Sequence, residues 1–210
     1  LEPDYGTTLT ILGIFFIQIV FSDIKFRYPA TIFSISLFPL YLFANASDYR
    51  RERIETFLTG KCQEGVDLLG DCFQLNQSWI AISSGGLTGL GPGTSRARWG
   101  MLPNAYTDFI VSITGEEYGF IGILILTIIF LLLIISFYGM ALTTDDNFKK
   151  LILAGLATWV GIQTILNLGG AVGLLPITGI VLPFISYGGT AMVSIFIGLS
   201  LAHNETSKNE

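Results

Sequence analysis

The residues best suited to chemistry in this sequence are carboxylates in a polar stretch between long apolar runs. Asp108 stands in the segment Leu102–Phe109, and Glu116 and Glu117 follow it closely. A carboxylate can accept a proton as a general base or bind a hard cation. In a chain this apolar, an ionised side chain beside a membrane costs desolvation free energy, so its presence indicates a function. We therefore predict that the chemistry takes place at Asp108.

The composition indicates an integral membrane protein. Of the 210 residues, 51% are hydrophobic and only 13% are charged, and the mean hydropathy is +0.63. A soluble domain of this length would need an implausibly large dry core. The formal net charge is −5, and the basic residues form no patch that could follow a phosphate backbone, so we expect no nucleic-acid partner.

The apolar runs predict an all-α, polytopic membrane domain over residues 1–210 with about five transmembrane helices. Each such helix needs about 20 mostly apolar residues. The predicted spans lie near 6–21, 29–46, 119–142, 151–171 and 181–202.

A loop over residues 47–118 separates the second and third spans and is far longer than a helix connection requires. Its apolar and aromatic content argues against disorder. The segment Trp79–Gly91 is too short to span a membrane, so we predict a re-entrant or interfacial segment there. Basic residues in the short loops, Lys25 with Arg27 and Lys149 with Lys150, favour the cytoplasmic side for those loops and the exterior for the long one.

Cys62 and Cys72 are the only cysteines, and both lie in the long loop. In an exterior loop they could form a disulfide. The alternative is two free thiols, and the residues alone leave both open.

Several motifs together resemble the C-terminal half of the SEDS family (shape, elongation, division and sporulation), the FtsW/RodA/SpoVE type of peptidoglycan glycosyltransferase. The motifs are Pro3–Thr7; Tyr49-Arg50 with Arg53; Phe73-Gln74 with Gln77-Ser78; Ser84–Leu87; Leu102-Pro103 with Thr107–Ile110; Gly115–Gly119; Asn167–Gly169 with Gly173–Pro176; and Thr178-Gly179 with Leu182–Gly189. The segment Gly91–Asp108 is more similar to the division member than to the elongation member. The sequence departs from the family where it has Tyr106 in place of a frequent His and Arg98 in place of a frequent Lys.

The resemblance implies about ten spans in the whole protein, of which this chain would supply the last five. It also implies polymerisation of lipid II into glycan strands at the exterior face of the bacterial cytoplasmic membrane, with Asp108 as the catalytic base or a ligand of a divalent cation. Candidate substrate-binding residues are Arg98, Arg96, Arg50, Arg53, Gln74, Glu117, Ser186 and Tyr187.

Each of these roles has a simpler alternative. The arginines could anchor lipid headgroups, and Ser186 and Tyr187 could make polar contacts between helices. Glu116, the second candidate metal ligand after Asp108, could orient the loop, and Glu116 and Glu117 could be solvated residues at the start of the third span.

The resemblance further implies partners and a cofactor. Mg²⁺ or Mn²⁺ could bridge the substrate diphosphate, and no organic cofactor is expected. The partners would be lipid II, the growing glycan strand, membrane lipids and a transpeptidase of the class B penicillin-binding type. Two alternatives to polymerisation stay open: transport of the same lipid across the membrane, and a fragment without activity.

Overall fold

The computed structural model describes residues 5–22, 24–25, 27–28, 31–32, 34–35, 59–60, 62 and 72–207. Within these residues all regular secondary structure is helical, which confirms the predicted all-α class. The helices are α1 (Tyr5–Phe21), α2 (Phe73–Gly85), α3 (Ile110–Thr143), α4 (Asn147–Val172) and α5 (Gly189–Ser207), with a 3₁₀ turn at Ala97–Trp99. Most of the predicted span 29–46 lies outside the described residues.

In the part of the chain that the structure describes, two helices, α3 and α4, are long and apolar enough to cross a membrane, and α1 and α5 contain shorter apolar stretches. α3 begins at Ile110, earlier than the predicted start at 119. α5 begins at Gly189, whereas the predicted fifth span begins at 181. Residues 181–188 do not continue the helix, because Phe184 has a left-handed φ of 64° and Pro183 precedes it.

α4 lies at the centre of the bundle and contacts α1, α2, α3 and α5. The Asp146 carboxylate caps its first turn by accepting from the backbone N–H groups of Phe148 (2.8 Å) and Lys149 (3.4 Å). Its last turn ends at Gly173, whose left-handed φ of 78° is the usual C-terminal glycine conformation. α4 is thereby held at both ends, with one end beside Asp108.

α3 is broken at Gly119, where the backbone leaves the helical conformation (φ 68°). The break frees backbone groups on both sides, and the glycine-rich loop after α2 satisfies them. The N–H groups of Phe120 and Ile121 donate to the carbonyl oxygens of Gly86 and Leu87, and the carbonyl oxygens of Glu116 and Glu117 accept from Leu90 and Gly91. This exchange fixes the orientation of the first helical segment of α3, which follows Asp108.

The predicted segment Trp79–Gly91 corresponds to a helix with different limits. α2 begins at Phe73 and ends at Gly85, because the following glycine-rich loop pairs with α3 instead of extending the helix. Cys72 immediately precedes α2, is fully buried, and forms a disulfide with Cys62. The disulfide alternative is therefore confirmed.

Hydrogen bonds of two serine hydroxyls connect α2, α3 and α4 close to the end of the bundle that carries Asp108. The Ser78 hydroxyl on α2 donates to the carbonyl oxygen of Ala171 on α4 (2.6 Å) and lies 2.6 Å from the Ser112 hydroxyl on α3. Because a serine has a single proton to donate, Ser112 is the donor of that second bond. Trp79 Nε1 donates to the neighbouring carbonyl of Val172 (3.1 Å).

Candidate active site

Asp108 lies in a tight turn that is organised by one carbonyl oxygen. The backbone N–H groups of Thr107, Asp108 and Phe109 all lie within 3.4 Å of the carbonyl oxygen of Asn104 and donate to it. Asn104 itself has a left-handed φ of 55°, which asparagine tolerates better than most residues. Phe109 is 1% exposed and anchors the turn in the apolar core. The turn thus holds a partly exposed carboxylate beside a deeply buried aromatic ring.

Asn167 on α4 fastens the Asp108 turn to the segment between α4 and α5. Its Nδ2 donates to the backbone carbonyl oxygens of Asp108 (3.0 Å) and Ile180 (2.7 Å). Two carbonyl acceptors require the amide nitrogen on that side, so the hydrogen bonds fix the orientation of the amide. Asn167 is 4% exposed, so these bonds form away from competing water.

Residues 182–187 hold the other side of the same turn. The Ser186 hydroxyl donates to the carbonyl oxygen of Thr107 (2.5 Å) and accepts from the N–H of Leu182 (2.9 Å). The N–H of Tyr187 donates to the carbonyl oxygen of Tyr106 (2.9 Å). These bonds explain why residues 181–188 leave the helical conformation.

A small cleft opens at Asp108. It has a volume of about 10 Å³, room for roughly one water molecule, and Asp108, Asn167, Ile177, Thr178 and Gly179 are among its walls. A Cβ atom placed on Gly179 would lie 3.9 Å from Asp108 Oδ2, and Gly179 has a φ of 72°. Gly179 therefore lies close to the carboxylate, and its left-handed backbone is the conformation that favours glycine.

Arg98 and Tyr106 are bonded to each other next to the Asp108 turn. Arg98 Nε donates to the Tyr106 hydroxyl (3.3 Å), and its guanidinium lies 5.7 Å from the ring centre of Trp99. Both partners are exposed. The two positions at which the sequence departs from the family pattern therefore contact each other in the structure. Arg96 is also exposed, and its side chain stays available at the same surface.

Glu116 is a buried structural acceptor. It is 2% exposed, and its carboxylate accepts from the Ser95 hydroxyl (2.6 Å) and from the backbone N–H groups of Arg96 (3.0 Å) and Ala97 (3.2 Å). These bonds fix the turn that carries Arg96 and Arg98. Of the alternatives that the sequence left open, the structure supports orientation of the loop and excludes a solvated cap. With both oxygens engaged, Glu116 is unsuited to the predicted role of metal ligand.

Glu117 is also buried, with 8% of its surface exposed. Its Oε1 has no hydrogen-bond partner among the residues that the structure describes. Burial at this level contradicts a solvated cap; the contact with substrate stays a prediction.

The remaining predicted substrate-binding residues divide into three groups. Ser186 is 5% exposed and is committed to the Asp108 turn, so it positions the turn and does not face substrate. Tyr187 is 80% exposed, and Gln74 is partly exposed on α2. Arg50 and Arg53 lie outside the described residues.

The described residues do not form a metal site by themselves. No three His, Cys, Asp or Glu side chains within this part of the chain lie close enough to hold a metal ion.

Sequence reasoning missed two residues that define the site. Ser95 gave no signal of its own, because a serine in a polar loop fits many roles. Gly179 lay in a recognised motif, but its importance is visible only once its backbone is placed beside the Asp108 carboxylate.

Comparison with known proteins gives consistent matches over nearly the whole chain. The family model FTSW_RODA_SPOVE, described as cell cycle protein, matches residues 1–209. A protein named probable peptidoglycan glycosyltransferase FtsW from Geobacter metallireducens is 35% identical over 207 residues, which cover 99% of this chain and 54% of that protein. Stage V sporulation protein E of Bacillus subtilis is 32% identical, over 97% of this chain and 54% of its own length. The chain thus spans about half the length of these relatives.

Two solved structures share the fold. One, described as showing structural coordination of polymerization and crosslinking by a peptidoglycan synthase complex, has a TM-score of 0.69 and 28% identity and covers 96% of this chain and 55% of the matched chain. The rod shape determining protein RodA of Thermus thermophilus, in an aspartate-to-alanine mutant form, has a TM-score of 0.58 and 26% identity, over 96% of this chain and 49% of its own.

Proposed function

Since the chain belongs to the FtsW/RodA/SpoVE family of membrane proteins, we propose that the whole protein is a peptidoglycan glycosyltransferase that polymerises lipid II, with Asp108 as its catalytic residue. The observation that carries the assignment is the contrast between Asp108 and Glu116. Asp108 is partly exposed and lines a cleft, whereas Glu116 is 2% exposed. The names of the relatives from Geobacter support the activity.

The reaction joins an acceptor sugar hydroxyl to the anomeric carbon of a lipid-linked donor. As the hydroxyl oxygen forms the new bond, the Asp108 carboxylate takes the hydroxyl proton, and the bond between the anomeric carbon and the lipid diphosphate breaks. The electron pair of that bond leaves with the diphosphate. Without a base, the developing oxonium charge on the attacking oxygen would raise the barrier.

Cationic groups must meet the negative charge of the departing diphosphate. Arg98 and Arg96 are exposed on the turn held by Glu116, and a guanidinium can bind two phosphate oxygens at once. The bond from Arg98 to the Tyr106 hydroxyl holds the guanidinium close to the Asp108 turn. We assign these arginines to the diphosphate of the donor.

We propose a second, alternative role for Asp108, in which it would hold Mg²⁺ or Mn²⁺ against the substrate diphosphate instead of acting as the base, because hard cations prefer oxygen donors. The ion would supply positive charge to the leaving group.

Asp108→Asn in the whole protein is the direct test. This change keeps the shape of the side chain and removes the proton acceptor and the charge. Lipid II polymerisation by the purified protein should fall by at least about 100-fold, the low end of what a general base contributes. The matched control is Asp145→Asn, an exposed aspartate at the opposite end of the bundle, which should stay near the wild-type rate. Chelation of divalent ions should slow the wild type and have little further effect on Asp108→Asn.

The proposed orientation puts the Asp108 end of the bundle outside the cell. The disulfide supports it, since disulfides form and persist in oxidising surroundings, and so do the basic residues of the short loops at the other end. Single cysteines introduced into a variant without Cys62 and Cys72 can be labelled in intact cells with a reagent that does not cross membranes. Position 94 should react and position 145 should not; the reverse pattern would invert the orientation.

Transport of lipid II is the second candidate, favoured by one observation. Transporters often use broken helices, and α3 is broken at Gly119. The break is closed by hydrogen bonds to the glycine-rich loop, and the described spans carry few ionisable residues. Transport would be favoured if the wild-type protein moved lipid II between leaflets without polymerising it, and if Asp108→Asn moved lipid II at the same rate.

The crosslinking partner is the last part of the proposal. The solved complex with the same fold coordinates polymerization with crosslinking. We propose that the whole protein likewise acts beside a transpeptidase of the class B penicillin-binding type, in the cytoplasmic membrane.

A further inference from the structure

A second cavity opens at the end of the bundle opposite to Asp108. Its volume is about 420 Å³, and it lies where the end of α3, the beginning of α4 and the end of α5 meet. The residues around it are Phe137, Met140, Thr143, Thr144, Lys149, Leu153, Leu199 and Ala202. The reaction proposed above uses none of them.

The cavity and Asp108 belong to opposite membrane surfaces. From the break at Gly119 to the end of α3 at Thr143, a helix with a rise of 1.5 Å per residue covers about 36 Å, slightly more than the thickness of a bilayer core. α1 also ends at this surface, because Phe21 stacks on Tyr138 of α3 with ring centres 5.9 Å apart. The exposed basic residues Lys25 and Arg27 follow α1 there.

The walls of the cavity and its rim differ in chemistry. Phe137, Leu153 and Ala202 are at most 7% exposed and give an apolar interior. Lys149, which is partly exposed, supplies the positive charge. The Thr143 hydroxyl donates to the carbonyl oxygens of Gly139 (3.1 Å) and Met140 (3.3 Å), so Lys149 and Thr144 are the side chains that can donate to a ligand.

We propose that this cavity binds one anionic phospholipid, with an acyl chain against the apolar walls and the phosphate at Lys149 and Thr144. Basic pockets between transmembrane helices are known to bind anionic headgroups. A further apolar helix in the cavity would remove the Lys149 ammonium from water and give it no hydrogen-bond acceptor, whereas a phosphate would accept from it and pair with its charge. In the proposed orientation the lipid belongs to the cytoplasmic leaflet; the site itself does not depend on the catalytic role of Asp108.

Lipid titration of the whole protein in neutral detergent tests the headgroup contact. Native mass spectrometry should show one phosphatidylglycerol bound in preference to phosphatidylcholine. Lys149→Gln should weaken phosphatidylglycerol binding about fivefold, the effect of one basic residue near a membrane surface. The matched control is Lys150→Gln, which makes the same charge change next to the cavity without lining it and should alter binding less than twofold.

A second pair of variants tests the acyl-chain contact. Met140→Trp should fill the cavity and lower phosphatidylglycerol binding at least as much as Lys149→Gln does. Leu131→Trp, at an exposed position on the same helix, should leave binding unchanged. Thermal unfolding of each variant checks that the fold is intact, which the 43% exposure of Met140 favours.

Several results would overturn the proposal. Equal effects of Lys149→Gln and Lys150→Gln would indicate general attraction to the membrane surface. Displacement of the lipid by millimolar inorganic phosphate would indicate a site for a free anion. Unchanged binding in Met140→Trp, or no preference for phosphatidylglycerol in the wild type, would show that another part of the protein fills the cavity.

Discussion

Asp108 and Glu116 are two carboxylates close together in the sequence, and the structure uses them in opposite ways. Glu116 is buried and accepts three hydrogen bonds from the turn at residues 95–97. At Asp108 the backbone N–H and carbonyl bond to Asn104 and Asn167, and the residue is partly exposed at a cleft. Two carboxylates from neighbouring motifs therefore differ in burial, and only the one at the cleft can be reached by a ligand. Burial, which the motifs alone do not give, separates a structural acceptor from a candidate for chemistry.

Glu116→Ala should produce the largest loss of stability, because three donors lose their acceptor inside the protein. Buried donors without partners cost about 1 to 3 kcal/mol each, and partial relaxation should bring the total to about 3 kcal/mol. Denaturant unfolding in mixed micelles would measure it. Asp145→Ala at the exposed end is the control and should change the free energy of unfolding by less than about 0.5 kcal/mol. If Glu116→Ala lowers the free energy of unfolding by less than about 0.5 kcal/mol, Glu116 has no structural role.

Removal of the disulfide should cause the next largest loss of stability. Like Glu116, the disulfide has a structural role. A cross-link over so short a loop stabilises by about 2 to 3 kcal/mol in the chain-entropy model. Reductant should therefore lower the thermal midpoint of the wild type and leave unchanged a variant with Cys62→Ser and Cys72→Ser. The rate of polymerisation per folded molecule should stay unchanged in the reduced wild type and in the double variant, because the cross-link does not hold Asp108 directly. Equal sensitivity of the two proteins to reductant would contradict the bond.

Asn167→Ala should have a smaller effect, and it should act on catalysis through the Asp108 turn. Without the two bonds from Nδ2, the Asp108 turn can shift, and small displacements of a catalytic group are costly. We expect kcat for polymerisation to fall about tenfold while KM changes little. Gln163→Ala, one turn earlier on α4, removes a similar amide whose Oε1 accepts no hydrogen bond from the described residues. If both variants lose activity equally, Asn167 has only a packing role.

Sequence reasoning was most successful where one residue type has one dominant physical consequence. The apolar run of α3 and the Gly173 end of α4 are local features, so the all-α fold followed from the sequence, and the motifs gave the family. The assignment of Asp108 itself stays a prediction until it is measured.

Reasoning from sequence was weaker where a role depends on distant partners. The burial of Glu116 follows from Ser95 and the turn after it, and no local pattern announces that contact. Residues 181–188 look apolar enough for a helix, yet they are not helical. Instead, the Tyr187 N–H donates to the Tyr106 carbonyl oxygen and the Ser186 hydroxyl donates to the Thr107 carbonyl oxygen. Such tertiary hydrogen bonds outweigh local preference and are visible only in three dimensions.

The most direct test of the account measures activity and stability together in Asp108→Asn and Glu116→Gln, both made in the whole protein. With Asp108 as the proposed general base, Asp108→Asn should lose at least about 100-fold in lipid II polymerisation. Its thermal midpoint should stay close to that of the wild type, because Asn has the same size and shape as Asp. Glu116→Gln should lower the thermal midpoint, and the molecules that remain folded should retain most of their rate. If Asp108→Asn polymerises lipid II at the wild-type rate while well-folded Glu116→Gln is inactive, the roles are reversed and the account is wrong.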